Sequence, residues 1–244
     1  GVMGLPMKPE AFAKAKELGF EGVQVTLGRA RKGTALPLAD RALQDAILDA
    51  SSQSGIPIVS TYLDVLHDVC LGQSPEAAQR VLDGIRITKA LQAPILMTVF
   101  FGKCELNTHG ATEKVVEAFR YLTPAATDEG IVLGLESLLT AKQTLYVLEK
   151  VNSPALKVYY DVGNAANMIG TDPAAELQIF GGDQVCQLHF KDKSYLGTGK
   201  VDMPSVYQAL DSISFEGYGV LETGSPSKNI DADLKRNLEY LAGL

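Results

Sequence analysis

The 244-residue sequence has no tryptophan, three histidines and three cysteines. Cys70, Cys104 and Cys186 are odd in number and form no CxxC pair. That pattern implies no disulfide framework, and all three are expected to be reduced thiols in a reducing compartment. Long hydrophobic runs are also lacking: none approaches the ~18 apolar residues of a membrane span. Positive charge is in deficit, with 22 Lys and Arg against 29 Asp and Glu, a net charge of −7. A nucleic-acid partner would want a basic face, so none is expected. No signal peptide is visible, which points to the cytoplasm. The chain opens GVMG without an initiator Met, however, and a leader removed upstream of Gly1 stays open. No linker, low-complexity segment or charge run marks a boundary, so one domain over 1–244 is expected.

What is present is alternation. Helical patterns occupy 9–19, LADRALQDAILDASSQSG, PEAAQRVLDGIRITKALQA, 112–129, 140–151, DPAAELQIFGG, the segment around MPSVYQALDSI, and DADLKRNLEYLAGL. Between them lie GVQVTLG (22–28), IPIVSTYL, PILMTVFFG (94–102), IVLGLES, LKVYYDVGNA (156–165), VCQLHFKD and GYGVLETG. Near-continuous apolar strands alternating with amphipathic helices predict a parallel α/β sheet covered by helices. Eight helices against seven strands, with a helix first, fit a (β/α)8 TIM barrel lacking its first strand in the numbered chain. That strand is expected upstream of Gly1. A doubly wound sheet would want a Gly-rich phosphate turn after its first strand, and none is present.

The last four strands each end in a potential metal ligand: Glu136, Asp161, His189 and Glu222. Barrels carry their sites at C-terminal strand ends. Residues two apart on a strand share a face, which groups Gly134 with Glu136, Tyr159 with Asp161, Gln187 with His189 and Lys191, and Val220 with Glu222. Three carboxylates crowded together repel one another unless a cation neutralises them. A set of three carboxylates and one imidazole is mostly hard, which suits Mn²⁺ first, with Mg²⁺, Co²⁺ or Zn²⁺ as the other candidates. The bland alternative is a row of solvated polar residues at strand ends. His67 and His109 are expected to be solvated in loops, and Phe100 and Phe101 to be barrel packing. Arg29, Arg31 and Lys32 are expected in a solvated loop, with phosphate binding as the alternative.

GLES, YYDVGN, LHFKDK, GTGKVD (197–202) and GVLET resemble the xylose-isomerase-like sugar-phosphate isomerase/epimerase barrels, a group that includes ketose 3-epimerases, hydroxypyruvate isomerase and inosose dehydratase. The resemblance implies a divalent metal on Glu136, Asp161, His189 and Glu222, with the two glutamates doubling as an acid/base pair. A metal holding adjacent substrate oxygens stabilises an ene-diolate, while carboxylates remove and return the α-proton. Two departures bear on substrate. Asn164 stands where ketose 3-epimerases carry a histidine, and their arginine beyond the strand-seven histidine is replaced by the neighbourhood of Lys191 and Tyr195. Asn164 and Lys191 are the expected substrate-binding residues, Lys191 able to polarise a carbonyl or bind phosphate. The implied activity is isomerisation or 3-epimerisation of a sugar, keto-sugar or sugar phosphate, by a chain that can pair as a homo-oligomer. Alternatives are a metal-dependent lyase or dehydratase of a keto-sugar or inosose, a zinc-dependent DNA-repair hydrolase, which would want more histidines and a basic groove, and a non-enzymatic sugar-binding barrel.

Overall fold

The computed structural model describes residues 8–31 and 33–244. The opening GVMG and Lys32 lie outside the described residues. Seven strands form one sheet in sequence order among the described residues: β1 (Val23–Thr26), β2 (Ile58–Tyr62), β3 (Ile95–Phe100), β4 (Val132–Ser137), β5 (Leu156–Asp161), β6 (Val185–Phe190) and β7 (Gly219–Leu221). The helices are α1 (Glu10–Leu18), α2 (Arg41–Ser54), α3 (Pro75–Ala90), α4 (His109–Glu129), α5 (Ala141–Val151), a single turn α6 (Val162–Asn164), α7 (Pro173–Phe180), α8 (Met203–Ser212) and α9 (Ile230–Ala242).

The chain divides into two compact units, one running to Ser137 and taking in Val147–Lys157, the other holding Leu138–Tyr146 and Val158–Leu244. In the first unit β1 to β4 pair in parallel, with Val25 beside Thr61, Thr61 beside Leu96, and Val99 beside Glu136. All six residues of β3 are buried, as a strand covered on both faces requires. The helices start where the sequence supplies caps. Asp40 accepts from the Ala42 amide at 2.8 Å, and Ser74 accepts from Glu76 with Pro75 at the first helical position. Thr108 accepts from the Ala111 amide, which starts α4 three residues earlier than its apolar periodicity suggests. Phe12, Ile47 and Phe119 reach the core from α1, α2 and α4, each fully buried. Truncating one such Phe to Ala would cost about 3–5 kcal/mol.

Two expectations are corrected in this unit. Cys70 and Cys104 are joined in a disulfide across 34 positions, and Cys186 stays outside the bond, its thiol donating to the Val158 carbonyl. The turns after β2 and β3 lie side by side because their strands do, so a pairing arises that no local spacing announces. The bond removes the ground for reading all three cysteines as reduced, and with it the argument for a reducing compartment. His67 is not a solvated loop residue either: it is half-buried, with Phe101 stacked on its ring. Phe101 therefore packs on a loop imidazole, whereas Phe100 meets Phe119 in the core as expected. His109 is exposed at the start of α4.

In the second unit β5 to β7 pair in parallel, Asp161 beside His189 and His189 beside Val220. The α6 turn and the wide turn continuing it to Ile169 follow β5 at once. The sequence NAANMI has no helical periodicity to announce them. Among the described residues no helix is long and apolar enough to cross a membrane.

Candidate active site

The site is built from the C-terminal ends of β5, β6 and β7. Asp161 is the last residue of β5 and 4 % exposed. Its Oδ1 accepts the Asn164 amide at 2.9 Å, so the chain's turn into α6 holds the carboxylate. Asn164 is buried beside it. Between them stands Gly163, where a Cβ would meet the Lys191 carbonyl oxygen at 2.7 Å and the Lys191 stem at 2.8 Å. Only a glycine lets the β6 end come this close to α6.

His189 is 2 % exposed and its ring meets the Tyr159 ring edge-on, with centroids 4.7 Å apart. Packing thereby fixes the imidazole plane, and Nδ1 lies 3.6 Å from Glu222 Oε2. Lys191 Nζ is 2.8 Å from Glu222 Oε2 and 3.4 Å from Asp161 Oδ2. Potential ligand atoms of Asp161, His189 and Glu222 all lie within 4.8 Å of one another. Burial works to raise the Glu222 carboxyl, but the positive charges of His189 and Lys191 and its hydrogen bonds outweigh it, so the group sits below its ordinary pKa. Glu136 is the penultimate residue of β4 in the first unit and is 3 % exposed.

This donor set fits a divalent cation. Two carboxylates and one imidazole converge, and an ammonium already occupies the position of a neutralising charge between the carboxylates. Asp161, His189 and Glu222 could hold the ion, with hard oxygen donors in the majority.

The loops beyond β6 and β7 are fastened by α9, a role its amphipathic sequence does not announce. Asp233 accepts from the Tyr195, Ser225 and Ser227 hydroxyls at 2.6–2.8 Å and from the Ser227 amide at 3.1 Å. Asn237, one turn further and fully buried, accepts from the Leu196 amide and donates to Thr223, the neighbour of Glu222. The signal available was a polar i,i+4 pair on an amphipathic helix, which reads as a solvated face. Tyr195 thus belongs to this fastening, with the Arg236 guanidinium 3.8 Å above its ring. Arg29 is engaged with Asp64 at 2.9 Å and Asp68 at 3.5 Å instead of standing in a solvated loop.

The fold is that of sugar epimerases of known structure. 3-Keto-D-glucoside 4-epimerase from E. coli superposes with a TM-score of 0.79 over 97% of this chain and 94% of its own, at 15% identity. D-Psicose 3-epimerase from Clostridium cellulolyticum H10, solved with D-tagatose, gives a TM-score of 0.79 over 96% and 92%, also at 15% identity. At the sequence level, residues 12–244 match the model of the Xylose isomerase-like TIM barrel family, and the chain belongs to that family. It is also 27% identical over 191 residues to 2-epi-5-epi-valiolone 7-phosphate 2-epimerase of Actinoplanes sp. (strain ATCC 31044 / CBS 674.73 / SE50/110), covering 77% of this chain and 68% of that one.

Proposed function

We propose that this protein is a divalent-metal-dependent isomerase or 3-epimerase of a keto-sugar or sugar phosphate. The observation that carries the reading is the convergence of Asp161, His189 and Glu222, with Lys191 between the carboxylates, at the strand ends where such barrels place chemistry. Glu136, buried at the same end of β4, is taken as the fourth ligand. The matching relative and the solved structures being sugar epimerases supports the substrate class. Mn²⁺ as the preferred ion, a single domain over 1–244 and self-association belong to the same proposal.

Bound there, a divalent ion would polarise a substrate carbonyl and lower the cost of the charge developing on its oxygen. The remaining work falls to the chain. Glu222 and Glu136 act as the acid/base pair at the carbon next to the carbonyl: one carboxylate takes the proton and the other carboxyl returns one. Tyr159 keeps the His189 ring from rotating, and the α6 turn keeps Asp161 aimed. Lys191, drawn off the two carboxylates, donates to a substrate oxygen, and the Asn164 side-chain carboxamide offers a second hydrogen bond.

The test is to incubate Mn²⁺-loaded protein in D₂O with D-allulose, D-tagatose and L-ribulose and with phosphorylated ketoses. Deuterium next to the carbonyl, with the carbon skeleton and its oxygens retained, is the expected result. Loss of water from the sugar would instead establish the lyase, and no exchange with any of these sugars would overturn proton transfer as the reaction.

A further inference from the structure

The first unit carries a polar–aromatic cluster that the reaction described above does not use. Tyr62 ends β2, His67 sits in the single-turn helix Asp64–His67 that follows, and Phe101 follows β3. The Tyr62 hydroxyl and His67 Nε2 are 2.6 Å apart. The Phe101 ring lies on the imidazole, with centroids 5.9 Å apart and planes inclined by 22°, while Tyr62 meets it edge-on. A loop histidine without partners would turn into water, whereas this one is held on two sides. The turns that carry it are also tied together. Cys70–Cys104 links the segment after His67 to the segment after Phe101, and Arg29 anchors Asp64 at the start of the His67 turn. Two loops cross-linked around a ring that the core does not need have the character of a preorganised binding surface.

We propose that Tyr62, His67 and Phe101 form a subsite beside Glu136 that holds the hydroxyl-bearing, uncharged end of a polyol. The proposal rests on the reading that Glu136 belongs to the reaction site. Three observations favour it. First, β2, β3 and β4 are consecutive neighbours, so Tyr62, Phe101 and Glu136 stand at the same end of adjoining strands. Second, the cluster pairs flat apolar faces with a few fixed polar groups, the composition of a site for a ligand with C–H faces and hydroxyl edges. Third, it is electrostatically wrong for phosphate. The Arg29 guanidinium is already taken by Asp64 and Asp68, and Glu136 adds a further negative charge. Burial, then Arg29, holds the His67 imidazole below its ordinary pKa, so the ring is neutral near pH 7. Nδ1 has no protein partner among the described residues: it donates to a sugar hydroxyl in the tautomer whose Nε2 accepts from Tyr62, and accepts from one in the other tautomer.

The experiment measures D-allulose and D-tagatose binding by competition calorimetry on Mn²⁺-loaded protein, for wild type, His67→Ala, Phe101→Ala and the milder Tyr62→Phe. Mn²⁺ affinity and Tm are recorded for each. His67→Ala and Phe101→Ala should each weaken binding of the free ketoses about tenfold, and Tyr62→Phe a few-fold. Mn²⁺ affinity should stay within about threefold, and a terminal phosphate on the ketose should not strengthen binding. If the two alanine variants fail to fold, Tyr62→Phe decides alone. Unchanged ketose affinity in folded variants, a coincident loss of Mn²⁺, a preference for the phosphorylated ketose that His67→Ala abolishes, or no ketose binding by wild type would each overturn the subsite. Binding that responds to His67 in a protein that exchanges no α-proton would leave the subsite standing and sink the proposed reaction. Exchange that ignores His67 would do the reverse.

Discussion

Replacing Lys191 by Met should tighten metal binding while making the metal-free protein less stable. The ammonium lies 2.8 Å from Glu222 Oε2 and 3.4 Å from Asp161 Oδ2, where an ion would have to lie. Two such contacts at an effective dielectric near 20 amount to about 10 kcal/mol of bare Coulomb attraction. The lysine side chain is 35% exposed and that of Glu222 47%, so screening and side-chain entropy cut the contribution sharply. About 1.4 kcal/mol in all is a reasonable net value. Methionine keeps the length and apolar stem without the charge, and leaves the carboxylates facing each other unneutralised. The metal-free variant should therefore melt about 3–6 °C lower, at about 2–4 °C per kcal/mol for a chain of this size. If the ion displaces the ammonium, the same free energy returns on binding, and Mn²⁺ affinity should rise about tenfold. Calorimetric titration with Mn²⁺ and thermal scans in chelator and in excess Mn²⁺ test both halves. Weaker binding in Lys191→Met, with an unchanged metal-free Tm, would instead show that the lysine supports the ligands and does not stand in for the ion.

Other outcomes follow from the same geometry. Glu222→Gln and Glu136→Gln, each verified to be metal-loaded, should lose about 10²–10⁴-fold in turnover, read as ketose conversion; a variant at the wild-type rate demotes that residue to a ligand. Asn237→Ala strips a hydrogen-bond partner from a buried amide, that of Leu196, and should cost about 1–3 kcal/mol in denaturant unfolding. Asp233 provides a pH signature. Burial pushes its carboxyl up, but hydrogen bonds from Ser225, Ser227 and Tyr195 prevail and hold it at about 2, below the ordinary 3.8. The folded pKa being the lower one, its stabilisation is full above pH ~4 and lost as the pH falls toward 2. Wild type should lose Tm more steeply than Asp233→Asn across that window, and parallel slopes would remove Asp233 from the acid response.

The barrel strands could be read from sequence because a buried parallel strand is a nearly unbroken apolar run, and ILMTVF is buried at all six positions. Asp161, His189 and Glu222 were legible for a related reason: each stands at the end of such a run, and a parallel sheet carries all such ends to one side. Lys191 could be placed on the His189 face by period two, but its grip on Glu222 depends on Gly163 admitting its stem, a three-dimensional fact. Cys70–Cys104 and the His67–Phe101 stack were illegible because they join loops after different strands. Nothing within 34 residues of chain encodes that adjacency except the sheet itself. Asp233 and Asn237 were hidden by their type, since Asp and Asn on a terminal helix are ordinarily solvated.

Asp161, His189 and Glu222, together with Glu136, are proposed to hold one divalent ion. Elemental analysis of protein equilibrated with Mn²⁺ and desalted, beside Asp161→Ala treated identically, reads that ion itself. Asp161 is buried, caps the α6 turn through the Asn164 amide and reaches the Lys191 ammonium, so the fold of the alanine variant is checked beside its metal content. The result expected is about one Mn²⁺ per wild-type chain and almost none in a variant whose circular dichroism is unchanged. Full Mn²⁺ occupancy in a folded Asp161→Ala protein would remove Asp161 from the metal site.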